Sequence, residues 1–223
     1  YFSEIIWYFP FRQKLADISD DDFRTQMIKA GFLNPDEGDK LHLAEEGVIA
    51  GEVQGIPLRI FHPLASLPEL KRPALLHFDL GYLRGLYKNE ISTPAYDLLQ
   101  EAVELLRDSQ WNTPGITLSA STEGGNYALA TRFLITDLAR LLKNPALLDG
   151  KMPTSWKTRK EAMFNQNFFQ ESKARELIQQ NAAKFPDDAS VQFDSYQLLV
   201  QAGDSQAAFV QLDKAVALDL GYA

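Results

Sequence analysis

Residues 189–223, ASVQFDSYQLLVQAGDSQAAFVQLDKAVALDLGYA, decide how this chain is read. One helix is predicted from Ala189 to Ala202. Gly203-Asp204 makes a turn, and Ser205 caps a second helix that runs through Leu218. The same spacing is present in residues 155–188. Ala208 follows Ala174 by 34 positions, Leu212 follows Ile178 by 34, and Leu220 follows Pro186 by 34. A helix–turn–helix period of this length marks stacked helical repeats.

Outward from that stretch, composition sets bounds. The chain has 223 residues, of which 45% are hydrophobic, enough to bury a core without covalent staples. It contains no cysteine, which excludes disulfides, zinc–thiolate sites and cysteine nucleophiles. The net charge of −8 opposes binding to phosphate backbones, so no nucleic-acid partner is expected. No apolar run approaches the length of a membrane span. The chain begins at Tyr1, for which a removed signal peptide is one explanation; the compartment stays open.

Before the repeats the pattern changes. Residues 1–10 read as a buried strand closed by Pro10. A helix is predicted from Ser19–Asp22 to about Ala30, with Gly31 as its stop. Val53–Phe61 reads as a hairpin turning at Gln54-Gly55, and Pro73–Leu80 as a central strand. Thr93-Pro94 opens a helix with a threonine N-cap, Gly115–Ser119 is another strand, and a helix follows over about 127–142. Strand and helix alternate, which implies a mostly parallel sheet flanked by helices over residues 1–145. Two prolines and a glycine over Asn144–Thr154 then suggest a linker at 146–154, before an all-α region at 155–223.

The helical region resembles the tetratricopeptide (TPR) family in its turn glycine Gly203, small Ala208, bulky Leu212 and small Ala215. It departs at Tyr196, where a small residue is usual, and at Leu220, where proline is usual. The preceding unit matches at Ala162, Ala174, Ile178 and Pro186, with Asn181 in place of alanine. The resemblance implies one well-formed repeat and one degenerate one, presenting a groove to a protein or peptide. It also implies an uncapped C-terminal helix pair through which the chain could self-associate.

The run His77-Phe78-Asp79-Leu80-Gly81-Tyr82 resembles the strand that carries Asp-x-Asp or Asp-x-His metal ligands in the arginase and histone-deacetylase superfamily. The order of the preceding segments is similar over residues 1–145. The resemblance implies a divalent metal at Asp79, assisted by His77 and by Glu123 of the Ser-Thr-Glu-Gly-Gly loop, for hydrolysis of a C–N bond. Gly81 stands where the second ligand belongs, and the upstream Gly-Gly-Asp-His motif is absent. The preferred reading of Asp79 is therefore a structural carboxylate that accepts backbone N–H bonds or pairs with Arg84, with no cofactor expected.

The loop at 119–125 can cradle an anion, but its bland reading is a capped strand–helix connection. Lys157, Arg159 and Lys160 read as a solvated basic face, and Phe164, Phe168 and Phe169 as packing at a domain junction. No Gly-x-Ser-x-Gly or Gly-x-Gly-x-x-Gly motif is present. The function expected is that of a non-catalytic interaction protein, with a metal-dependent hydrolase of reduced site as the alternative.

Overall fold

The structure, a computed structural model, describes residues 3–8, 19–29, 33–44, 48–61, 68–120 and 127–223. The chain forms two compact units, Tyr1–Leu67 and Pro68–Ala223.

The first unit contains β1 (Ile5–Tyr8), α1 (Asp20–Lys29), α2 (Pro35–Gly38), β2 (His42–Leu43), β3 (Ile49–Val53) and β4 (Ile56–Phe61). Its sheet has the order β1-β4-β3-β2. β1 runs parallel to β4, whereas β3 is antiparallel to both β4 and β2. The mostly parallel sheet expected from the sequence is thus corrected to a mixed one. The cause is local: Gln54 (φ 51°) and Gly55 (φ 78°) both take left-handed conformations. Two such residues close a tight hairpin, which can only join antiparallel strands. Phe23 and Met27, one turn apart on α1, bury against Leu41, Ile49, Leu58 and Ile60. Asn34 and Glu37 form a reciprocal capping box around Pro35 at the start of α2.

The second unit begins with β5 (Leu75–Asp79), α3 (Leu80–Leu86), α4 (Ala95–Ser109) and β6 (Gly115–Ser119). β5 and β6 pair in parallel as a two-stranded sheet. The central-strand character read into residues 73–80 is corrected by exposure: Leu75 is 63% accessible and Ile116 is 40%. Thr93 does not cap α4. The N-cap position is Pro94, and the Glu90 side chain accepts the Ala95 N–H instead, at 3.0 Å.

Helices fill the rest of this unit: α5 (Tyr127–Thr131), α6 (Phe133–Lys143), α7 (Ala146–Asp149), α8 (Thr154–Asn167), α9 (Glu171–Lys184), α10 (Ala189–Gln201) and α11 (Ser205–Leu218). The stretch 146–154, read as a linker, holds α7 and lies inside the unit. Leu83, Tyr96 and Leu99 share one core with Phe133, Leu138 and Trp156, so α8 is packed onto α4 and α6. The Trp156 ring stacks on Tyr96 with centroids 5.3 Å apart. Asp204, one residue before the expected Ser205, caps α11 by accepting the Ala207 N–H. A 3-10 turn at Leu220–Tyr222 follows. Tyr222 is 2% exposed, rests on Phe193 and lies under Arg132, which forks onto Asp219.

The 34-residue spacing carries a conformational consequence. Gly203 turns α10 into α11 with φ 77°, and Phe169, 34 residues earlier, turns α8 into α9 with φ 56°. Left-handed backbone suits glycine and strains a residue with a Cβ. Phe169 is 89% exposed, so its ring gains little packing in return. Phe164 and Phe168 are also about half exposed, which corrects their expected role as junction packing. Phe169→Gly is expected to stabilise the chain by about 1 kcal/mol, read as a higher urea midpoint. A midpoint that stays level or drops would refute the strain.

Candidate functional site

The expected metal residues fall on β5. The parallel register sets His77 beside Thr117 and Asp79 beside Ser119. Alternate strand residues share a face, so these four side chains line one side of the pair. His77 Nδ1 lies 2.8 Å from Thr117 Oγ1, and His77 Nε2 lies 3.2 Å from Ser119 Oγ. The Ser119 hydroxyl donates to Asp79 Oδ2, while Asp79 Oδ1 accepts the Gly81 N–H at 2.7 Å and so caps α3. A Cβ at residue 81 would sit 2.7 Å from Asp79 Oδ1, so the glycine makes room for this cap.

Serine, histidine and aspartate meet here in an order unsuited to nucleophilic catalysis. A relay needs the carboxylate on the imidazole and the imidazole on the hydroxyl. Here the hydroxyl stands between the other two and donates its hydrogen bond to the carboxylate. Glu123 lies outside the described residues. Among those described, no group of three or more His, Asp or Glu side chains is placed to hold a metal ion.

A second location was not foreseen. Between α8, α9 and α10, with Ala130 and Phe133 on one side, lies a cavity of about 190 Å³. Met163 and Gln197, 34 residues apart on α8 and α10, both line it. Leu177, Leu198, Gln166 and Gln201 contribute to the lining.

One wall is built from buried charge. Arg159, 3% exposed, sends Nε to Asp194 Oδ2 at 2.8 Å and Nη2 to Ser190 Oγ at 2.6 Å. Its Nη1 reaches the Tyr96 hydroxyl at 3.1 Å and Asp137 Oδ2 at 3.3 Å, while the guanidinium lies over the Phe133 ring. Asp137, 0% exposed, also accepts from Arg140, which continues to Asp188 at 2.9 Å. Asp188 in turn caps α10.

Burial pushes the Asp137 carboxyl up to about 6 against the pull of Arg159 and Arg140. Burial also raises Asp194, with Arg159 opposing. Burial works against the Asp188 carboxylate too, but the Ser190 hydroxyl and both arginines outweigh it and hold its pKa low. The solvated basic face expected at 157–160 is therefore corrected at Arg159. Lys160 does remain partly exposed, paired with Asp97 at 2.8 Å.

Part of this wall was legible. On α6, Phe133, Leu134, Asp137, Leu138 and Leu141 recur at helical spacing on one face. A carboxylate within an apolar stripe is buried and needs a partner. Arg159 sits similarly between Trp156 and Ala162 on α8. Comparison with protein-family models, with curated proteins and with solved structures yields no match.

Proposed function

We propose that this protein is an interaction module whose helices α8–α11 work as TPR-like repeats and hold a protein or peptide segment against the cavity between α8, α9 and α10. The observation that carries this reading is the cavity itself, with Met163 and Gln197 lining it in step with the 34-residue period. Ligand pockets for drug-sized molecules span roughly 300–1,000 Å³. A volume of about 190 Å³ suits one side chain of a longer segment lying across the helices. Methionine and glutamine side chains are flexible and adapt to a partner's shape.

A displayed library of random peptides selected on the immobilised chain tests this. Enriched peptides are expected to bind the wild-type chain and to weaken by about tenfold or more on Gln197→Trp, which fills the cavity with an indole. Failure to enrich any sequence, or enriched peptides indifferent to Gln197→Trp, would remove the reading.

A further inference from the structure

We infer that this cavity receives an alkylammonium group, the lysine side chain of the bound segment, with the cation on Asp194. The inference rests on the peptide-binding reading and specifies its chemistry. The ionic network that reaches the cavity through Arg159 and Asp194 contains three carboxylates, Asp137, Asp188 and Asp194, and two guanidiniums, Arg140 and Arg159. One negative charge is in excess. Its place follows from the partners. Asp188 is satisfied by Arg140, the Ser190 hydroxyl and the α10 N-terminus, where the helix dipole favours an anion. Asp137 lies between both arginines. Asp194 meets Arg159 through one oxygen only, and that arginine is shared with Asp137, Tyr96 and Ser190. Asp194 lines the cavity, with its side chain 20% accessible. The under-neutralised carboxylate is thus the one that faces the cavity.

A second observation points the same way. Asn181 also lines the cavity and is 4% exposed. Its Nδ2 donates to the Ser155 carbonyl at 3.1 Å, which leaves Oδ1 as a buried acceptor with no partner among the described residues. An unmet acceptor and an under-neutralised carboxylate both call for a donor, and a cationic donor serves each. Met163, Leu177 and Leu198 supply apolar wall for methylenes, which matches the amphipathic form of a lysine side chain. A carboxylate ligand would meet Asp194 at close range and be repelled.

The probe is n-butylammonium chloride, titrated into the full chain while the side-chain amide NMR signals of Gln197 and Gln201 are followed. Sodium butyrate and 1-butanol are the controls. Saturable shifts are expected with butylammonium alone. Asp194→Asn, which can still accept from Arg159, is expected to weaken them about tenfold or more. Gln197→Trp leaves the Arg159–Asp194 pair in place and is expected to abolish the shifts of the Gln201 signals, which that variant retains. Equal shifts with butyrate or butanol, or shifts that survive in both variants, overturn the assignment.

The peptide selection separates the two readings. Peptides that bind in the cavity yet tolerate lysine-to-norleucine exchange would sink the cation site and leave peptide binding standing. A butylammonium response without any peptide binder would do the reverse.

Discussion

Arg159→Met is expected to destabilise the protein by about 3–5 kcal/mol at pH 7, the cost of leaving buried charge uncompensated. The side chain is 3% exposed and holds Asp137, Asp194, Tyr96 and Ser190 together across α4, α6, α8 and α10. Methionine keeps most of the volume but supplies no donor, so Asp137 loses the stronger part of its neutralisation in a site without water access. Against a typical total stability of about 5–15 kcal/mol, a loss of this size is a large share of the total and lowers the folded-to-unfolded ratio by roughly 10²- to 10³-fold or more. Lys160→Met is the matched control. Lys160 pairs with Asp97 at a partly exposed position, where an ion pair contributes less than about 1 kcal/mol. Urea denaturation of both variants decides the matter: equal losses would mean that the network is not what holds these helices together.

The second large effect is a dependence on pH carried by Asp137. Its pKa rises from an ordinary 3.8 to about 6 in the folded chain. The native state therefore holds that proton more tightly than the unfolded chain. The stabilisation is complete below pH 3.8 and is lost as pH rises through about 6, a span worth on the order of 3 kcal/mol. Glu90 and Asp194, also raised by burial, act with the same sign. Asp188 and Asp219 are held low, so their contribution is present above 3.8 and fades below it.

The chain is thus expected to be more stable at pH 5 than at pH 7, and Asp137→Asn should flatten most of that difference. An unchanged pH profile in Asp137→Asn would show that the titrating group lies elsewhere. The two effects are coupled. At pH 5 the proton on Asp137 removes much of the charge that Arg159 neutralises, so Arg159→Met should cost less there than at pH 7.

Helices α8 to α11 were readable because their signals are local. Gly203 must supply a left-handed turn, and Ala208 and Ala215 mark close approach within a hairpin, whereas the caps fall on Asp188 and Asp204 rather than on the expected Ser205. The Gln54-Gly55 hairpin was legible for the same reason. The pairing of β1 with β4 was not, because its register joins residues more than fifty positions apart. No local preference distinguishes a parallel partner from an antiparallel one.

The candidate sites divide along the same line. His77 and Asp79 were placed on one face of a strand by its two-residue period, and they do share it. The sequence could not show that Ser119, forty residues on, would come between them and take the Asp79 carboxylate as its acceptor. Arg159 illustrates the opposite error. In sequence it belongs to a basic triplet, but its position on the inward face of α8 buries it.

Short-range chemistry alone thus determined the α10–α11 hairpin, its turn at Gly203, and the 34-residue step that places Met163 and Gln197 in equivalent positions. Only tertiary packing decided the parallel pairing of β1 with β4, the five-member charge chain and the cavity beside it. The physical reason is range. A cap or a turn is settled within a few residues, whereas the state of a buried charge depends on which distant side chains exclude water from it and which of them carry the opposite sign.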